Sequence, residues 1–252
     1  MIIPLETFRG ICAIVIVFYH LKINTFIHTS SFIQNGELVV DFFFVLSGFV
    51  IALNYMHKID SKKSLINFQK KRFYRLYPLH LLTLFIFLSF EIGKWIVVNN
   101  TSLTSTYEPF NSFNNFYSLF SNLILIHGWY GWSFNLPSWS ISTEFYTYLI
   151  FGIIVLNFGK NKTIFLLMIF LSLVIFFLNN YGFIFLDKFI YPARCIYSFF
   201  IGVLTFCFYA KHKDETTPYL FLLLSIIINI ALITQSDRSV SYTHLTLPTT
   251  PY

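Results

Sequence analysis

The chain has 252 residues, of which 56% are hydrophobic and only 11% are charged, and its mean hydropathy is +0.66. A soluble domain carries about 25% charged residues, so this composition excludes an ordinary soluble protein and favours a helical membrane protein. The net charge of +6 does not indicate nucleic-acid binding, because the positive residues cluster in short loops, as is typical of membrane proteins.

Apolar segments define the predicted elements. A spanning helix needs about 20 apolar residues, and the apolar run 116–128 falls short of that length. We therefore predict an all-α, polytopic transmembrane helix bundle of about seven to eight spans, without a separate soluble domain. The predicted spans, in chain order, are 8–27, 38–55, 79–98, 139–157, 162–179, 189–210 and 218–234.

The first predicted span carries two ionisable residues, Arg9 and His20, eleven positions apart. Eleven helical residues rise about 16 Å, and the two side chains end about 20° apart around the helix axis. Because burying ionisable groups in a membrane is costly, both residues are functional candidates. Histidine titrates near neutral pH and can act as a base, while the alternative for His20 is an interfacial hydrogen bond.

The segment between the second and third spans is strongly basic, so we predict a cytoplasmic loop there. This places the amino terminus in the cytoplasm and residues 28–37 outside. If residues 116–128 do not cross, most of the later loop lysines also lie inside. The charge bias thus favours a re-entrant or interfacial segment within an external region, 99–138. The basic residues of the predicted loop are Lys58, Lys62, Lys63, Lys70, Lys71, Arg72 and Arg75, against Asp60 alone.

This topology predicts that three titratable groups share one depth near the outer face. His20 ends its span, whereas Asp41 and Glu144 lie close to the outer starts of theirs. Glu144 could orient His20 or offset its positive charge, or it could be a structural partner of an arginine. The same alternatives apply to Asp41, which could also cap a helix amino terminus.

Several kinds of site have no signature in the sequence. Cys12, Cys195 and Cys207 lie in apolar stretches without paired spacing, so we interpret them as core residues. There is no glycine-rich phosphate loop, no metal-ligand spacing and no Gly-x-Ser-x-Gly elbow. We therefore expect no ATP hydrolysis, no bound metal and no bound cofactor.

The carboxyl-terminal residues differ in character from the rest. The sequence becomes polar after Thr234, and codons for residues 240–245 would resemble an adapter used in library preparation. We therefore expect residues 240–252 to be a non-native tail. Residues 1–239 would then be an integral-membrane domain that is incomplete at its carboxyl end.

Five ordered sequence elements stand out along the chain. They are Leu5-Glu6-Thr7-Phe8-Arg9-Gly10 with His20, Phe43-Phe44-Val45-Leu46-Ser47-Gly48, Lys70-Lys71-Arg72-Phe73-Tyr74-Arg75-Leu76-Tyr77-Pro78, Trp139-Ser140 with Glu144 and Phe145-Tyr146, and Arg194 with Phe199 and Gly202. Together these elements resemble the family 3 membrane acyltransferases, the O-acetyltransferase group that modifies surface polysaccharides. One departure is Glu6-Thr7, where the family usually has Asp-Gly.

The resemblance implies an enzyme of the bacterial inner membrane that uses acyl-coenzyme A as its co-substrate. It would move an acyl group, expected to be acetyl, from the cytoplasmic donor to a hydroxyl of an extracytoplasmic carbohydrate. In this interpretation His20 is the base or acyl relay and Glu144 is its partner. The donor anchors are Arg9, Arg72 and Arg75, and the further expected substrate-binding residues are Asp41, Ser47, Trp139, Ser140 and Arg194.

Other interpretations of these residues stay open. Arg72 and Arg75 share a helix face and suit phosphate, but they could equally serve as positive-inside anchors or contact lipid headgroups. Ser47 and Gly48 favour close helix packing, and local spacing supplies no base that would make Ser47 a nucleophile. A transporter of polysaccharide or lipid-linked sugar is the alternative function, and it predicts internal repeats that we do not see.

Overall fold

The computed structural model describes residues 3–21, 33, 36–105, 108–111, 114–129, 133–181 and 188–211. The predicted span 218–234 and the tail 240–252 lie outside the described residues. Residues 3–9 are described by their backbone alone, so the side chain of Arg9 is also outside the description.

All regular secondary structure in these ranges is helical. Two short 3₁₀ turns, His127–Trp129 and Leu136–Ser138, precede the fifth helix. The helices are α1 (Ile3–His20), α2 (Gly36–Tyr55), α3 (Lys62–Asn100), α4 (Phe116–Leu123), α5 (Trp139–Phe158), α6 (Lys162–Asn180) and α7 (Ile190–Lys211).

Helix α3 begins much earlier than the predicted span 79–98. It has 39 residues, about 58 Å at 1.5 Å per residue, and contains Pro78. Ser61 starts it with a reciprocal cap, because its side chain accepts from the Ser64 backbone while the Ser64 hydroxyl accepts from the Ser61 N–H. The predicted basic loop is therefore wrong from Lys62 onward: good helix formers such as Lys, Gln, Arg and Leu continue the helix.

Among the described residues, four helices are long and apolar enough to cross a membrane: Lys62–Asn100, Leu136–Phe158, Lys162–Asn179 and Ile190–Lys211. This supports a helical membrane protein, while the predicted count of seven to eight spans stays a prediction. Helix α4 has eight residues, which is far below a spanning length and agrees with the interpretation of 116–128 as a segment that does not cross.

Helices α2 and α7 pack with their backbones almost in contact. A Cβ at Gly48 would lie 1.9 Å from the Phe199 carbonyl oxygen, and one at Gly202 would lie 2.0 Å from that of Val45. The prediction that small residues allow close helix approach is thus confirmed at Gly48. Around this contact a phenylalanine core forms from α5, α6 and α7, with Phe151, Phe165, Phe199 and Phe200 fully buried.

The first half of α3 runs beside α5. Gln69 donates from Nε2 to the Phe145 carbonyl at 3.1 Å, and a Cβ at Gly152 would meet the Leu65 side chain. The second half leaves many large apolar side chains exposed, among them Phe85 and Phe90. These two pairings bring Arg72 of α3 and Glu144 of α5 into the same part of the bundle.

Candidate functional site

His20 is the last residue of α1, and its side chain is exposed. The imidazole packs edge-on against Tyr19, with 5.0 Å between the ring centroids. Tyr19 in turn donates from its hydroxyl to Glu37 Oε1 at 3.0 Å, at the start of α2. The predicted base therefore lies where α1 ends and α2 begins, accessible from outside the helix bundle.

Arg194 of α7 forms the centre of the Arg194 cluster, which also contains Glu37 and Asp41 of α2. Arg194 lies 2.9 Å from the Asp41 Oδ2 oxygen and 3.3 Å from Glu37 Oε2. Asp41 is fully buried, and α2 begins at Gly36, so the alternative of Asp41 as a helix cap is wrong. Trp139 covers the guanidinium at 5.8 Å and packs against Tyr191 at 4.6 Å.

A second group, the Glu144 site, consists of Ser47, Glu144 and Tyr148. Ser47 donates from Oγ to Glu144 Oε1 at 2.6 Å, and the Tyr148 hydroxyl donates to the same oxygen. Among the described residues, the hydrogen-bond partners of Glu144 are Ser47 and Tyr148. Neither His20 nor Arg194 is one of them. Six residues separate Asp41 from Ser47 on α2, which puts the Glu144 site about 9 Å farther along the helix.

Arg72 turns inward from α3 and forms the Arg72 site with Tyr55 and Phe68. Its side chain is only 9% exposed, donates to the Tyr55 hydroxyl at 3.0 Å and stacks over the Tyr55 ring at 5.0 Å. Among the described residues, no carboxylate lies within 4 Å of it, and its buried Nε has no hydrogen-bond partner. Within the part of the chain that the structure describes, Arg72 is thus a buried cation without a neutralising acid.

Arg75 does not join Arg72. Three residues along a helix correspond to about 60° of rotation, which is enough to leave the Arg75 side chain exposed while Arg72 faces α2. Lys70 and Lys71 are exposed as well. The structure therefore brings Arg72 alone of this basic group into the interior.

Aromatic side chains connect the Arg72 site with the Glu144 site. The Tyr55 and Phe68 ring centroids are 4.9 Å apart, and those of Phe68 and Tyr148 are 6.3 Å apart. Eight residues, about 12 Å of helix, separate Ser47 from Tyr55 on α2. The Arg72 site and the Glu144 site are therefore joined by aromatic rings of the buried core.

Two buried histidines, His80 and His127, were not singled out by the sequence. Their rings stack with centroids 5.1 Å apart and planes within 2°. His80 Nε2 bonds to the Asn122 carbonyl at 3.0 Å, and His127 Nε2 bonds to the Ser138 carbonyl at 2.9 Å. Burial lowers the pKa of His127 to about 4, so its ring is neutral at physiological pH. The stack attaches the segment before α5 to helix α3.

Hydroxyl groups continue this attachment to the start of α5. Ser138 bonds to Ser133 at 2.8 Å and donates to the Asn135 carbonyl at 2.6 Å. Ser140 donates to the Pro137 carbonyl at 3.0 Å, so its hydroxyl serves the turn rather than the Glu144 site. These contacts fix the beginning of the helix that carries both Trp139 and Glu144.

An apolar groove of about 380 Å³ lies between α3 and α5, and Gln69 is one of the residues that line it. Phe73, Phe145 and Leu149 contribute to its walls, with Lys70 at its edge. Its lining suits hydrocarbon rather than phosphate, so it is distinct in chemistry from the Arg72 site.

Comparisons with known proteins identify the family of the chain. A family described as an acyltransferase domain matches residues 3–251. The chain is 36% identical over 121 residues to acyltransferase MdmB of Streptomyces mycarofaciens, covering 46% of this chain and 27% of that protein. It is 28% identical over 149 residues to protein 2 in the picA locus of Rhizobium radiobacter, covering 56% of this chain and 76% of that one.

The chain therefore spans about a quarter of the length of MdmB. No solved structure matches it. The family match extends over almost the entire chain and agrees with the five sequence elements that predicted it. The chain belongs to the family 3 acyltransferases.

Proposed function

We propose that this protein is a multi-pass enzyme of the bacterial inner membrane that transfers an acyl group, expected to be acetyl. The donor is acyl-coenzyme A at the cytoplasmic end of the bundle, and the acceptor is a hydroxyl of an extracytoplasmic carbohydrate. The observation that carries this proposal is the Arg72 site, a buried cation that lacks an acidic partner among the described residues.

A buried charge is stable only when it is paired, so an arginine without an acidic partner among the described residues is suited to bind an anionic ligand. Guanidinium groups bind phosphate through parallel hydrogen bonds, and coenzyme A carries phosphates at the far end of a long arm from its thioester. With phosphate at Arg72, that arm would extend past Tyr55 and Phe68 toward Glu144.

The acceptor would bind at the opposite end, near His20. This side chain is exposed at the end of α1, so a carbohydrate can reach it. We propose that His20 removes the proton of the attacking hydroxyl, because imidazole is the side chain best suited to that role near neutral pH. Arg9 remains a proposed donor anchor on the same helix, and Arg75 a proposed second contact for the coenzyme.

Glu144 then has a different role from the one predicted. Its hydrogen bonds go to Ser47 and Tyr148 and its depth differs from that of Asp41, so it acts on the acyl group rather than orienting His20 directly. Asp41 and Arg194 neutralise each other, which favours a structural role for the Arg194 cluster at the edge of the acceptor region.

Membranes containing the full chain, radiolabelled acetyl-coenzyme A and a cell-envelope carbohydrate fraction test the proposal. Wild-type membranes should label the carbohydrate, and His20→Ala should reduce the rate roughly 10²- to 10⁴-fold, the usual contribution of a general base. The matched control is His57→Ala, because His57 is exposed beyond the other end of α2 and should retain full activity.

Unlabelled carbohydrate with the wild-type chain, or full activity in His20→Ala, would contradict the proposal. Energy-dependent sugar movement without acyl transfer would favour the transporter alternative, which membership of an acyltransferase family makes less favourable.

A further inference from the structure

We propose that Ser47 is a catalytic residue that carries the acyl group covalently between donor and acceptor. The proposal rests on the function proposed above, because it requires an acyl thioester as donor. It adds an acyl-enzyme intermediate on α2, at a residue for which local sequence spacing supplied no base.

The structure supplies that base from another helix. Ser47 donates its hydroxyl hydrogen to Glu144 Oε1 at 2.6 Å, although the two residues are 97 positions apart. The Tyr148 hydroxyl donates to the same oxygen and fixes the carboxylate from one turn away on α5. A nucleophile, a base within hydrogen-bond distance and a third group that orients the base are the parts of an activated-hydroxyl site.

Two buried threonine hydroxyls on the neighbouring helices α5 and α7 behave differently. Thr205 donates to the Ile201 carbonyl at 2.9 Å, and Thr147 donates to the Thr143 carbonyl at 2.8 Å. Such bonds to the preceding turn are the ordinary way in which serine and threonine satisfy a hydroxyl inside an apolar helix. Ser47 instead donates to a carboxylate, which is costly to bury and is not needed for packing.

The position of Ser47 also suits the donor. It lies about 12 Å along α2 from Tyr55, the residue that binds the Arg72 guanidinium, and the aromatic row joins the two ends. Ser47 is 4% exposed, but Glu144 keeps partial exposure, so the Glu144 site is not sealed from the space between the helices.

The first step is attack of Ser47 Oγ on the thioester carbonyl carbon. A C–O bond forms, the C–S bond breaks, coenzyme A leaves as the thiolate, and the Ser47 proton passes to the Glu144 carboxylate. The products are an acyl ester on Ser47 and a protonated Glu144. The step needs no co-reactant beyond the acyl thioester.

In the second step the acceptor hydroxyl attacks the ester carbonyl. The new C–O bond forms as the bond to Ser47 Oγ breaks, and Glu144 returns its proton to Ser47. About 15 Å of α2 separates Ser47 from Glu37, the partner of Tyr19 beside His20, so the acceptor proton reaches His20 through intervening water. The thiolate gains a proton from water and the imidazolium loses one to water, so the overall transfer balances.

Covalent labelling tests the intermediate without an acceptor. The full-length chain in membranes is mixed with radiolabelled acetyl-coenzyme A, quenched in denaturant and separated on a gel. We expect label on the wild-type protein that resists neutral hydroxylamine, is released by alkaline hydroxylamine and maps to the peptide containing Ser47. Ser47→Ala should carry only background label, while the matched control Thr205→Ala should label as the wild type does.

A second variant, Ser47→Cys, guards against loss of folding, because it keeps the size of the side chain and replaces oxygen by sulfur. Its label should be a thioester, which neutral hydroxylamine removes. This switch in sensitivity would not arise if Ser47 were merely a packing residue.

The outcomes separate the two proposals. Labelled carbohydrate from the wild-type chain without protein label, or an unchanged label on Ser47→Ala, overturns the Ser47 intermediate and leaves acyl transfer standing. Failure of wild-type membranes to label either the protein or the carbohydrate overturns both.

Discussion

Two buried arginines illustrate opposite uses of a charge within one helix bundle. Arg194 and Arg72 are exposed by only 8% and 9%, so burial does not distinguish them. Arg194 has Asp41 at 2.9 Å and Glu37 at 3.3 Å, whereas no described carboxylate lies within 4 Å of Arg72. The difference separates a charge that the fold itself neutralises from one for which we propose a ligand as the counterion.

The contacts around the two arginine side chains support the same distinction. Arg194 is held by residues of α2 and covered by Trp139, so its position is determined by protein contacts on several sides. Arg72 is held chiefly by Tyr55 and Phe68. Both arginines have a buried Nε without a hydrogen-bond partner, but among the described residues only Arg72 also lacks a carboxylate within 4 Å. An arginine that retains hydrogen-bond capacity inside an apolar bundle is suited to bind phosphate.

The largest effect on stability is expected from Arg194→Ala. Removing one partner of a buried ion pair leaves Asp41 uncompensated and costs about 3–5 kcal/mol. The melting temperature of the detergent-solubilised chain should fall steeply, and the double variant Arg194→Met with Asp41→Asn should recover much of that loss. An unchanged melting temperature in Arg194→Ala would show that the Arg194 cluster is not structural.

The His80–His127 stack is a useful contrast to the two arginines, because it is a buried polar contact that stabilises the fold without a charge on His127. Burial lowers the pKa of His127 to about 4, below the value of about 6.5 for an unfolded histidine. The unfolded state therefore binds more protons between these two values, and stability falls as the pH drops from 6.5 toward 4, by up to about 1.4 kcal/mol per pH unit.

The measurement is the melting temperature of the chain at several pH values in this window, for wild type and for His127→Gln. The slope should be shallower in the variant, which cannot titrate there. Equal slopes in both proteins would mean that His127 is not the group responsible.

The smallest effect is expected from Glu37→Gln. Glu37 is the more distant partner of Arg194 at 3.3 Å, and its side chain is 55% exposed, so solvent screens the interaction. Exposed ion pairs contribute about 0–1 kcal/mol, and the shift in melting temperature should stay far below that of Arg194→Ala. If Glu37→Gln lowered the melting temperature as much as Arg194→Ala, the exposed Glu37 contact would be as important for stability as the whole buried ion pair, which would contradict this prediction.

Local sequence predicted much of the fold. The apolar runs 38–55 and 139–157 end within two residues of the boundaries of α2 and α5, because helices of this composition stop where polar or glycine residues interrupt the run. The sequence prediction began the third span at residue 79, whereas α3 begins at Lys62. The charge of the basic segment suggested a loop, but its helix propensity and its serine cap determine a helix.

The sequence predicted which residues belong to the candidate site, but it did not predict which of them contact each other. The sequence identified five of these candidate site residues: Ser47, Asp41, Glu144, Arg72 and Arg194. Their pairing depends on which helices pack together, and local sequence does not determine this. The Ser47–Glu144 hydrogen bond and the His80–His127 stack join positions 97 and 47 residues apart, so no local spacing could reveal them. The burial of Arg72 but not Arg75 likewise depends on which face of α3 meets α2.

The most direct test of the account is the affinity of the purified full chain for coenzyme A, measured by calorimetry for wild type, Arg72→Ala and the matched control Arg75→Ala. A charge-assisted hydrogen bond contributes about 1.5–3 kcal/mol, so Arg72→Ala should weaken binding roughly 10- to 100-fold. Arg75→Ala should weaken binding less than Arg72→Ala does, because the Arg75 side chain is exposed and solvent screens its proposed contact with the coenzyme. Equal affinity in wild type and Arg72→Ala would contradict the claim that the buried, unpaired arginine binds the donor.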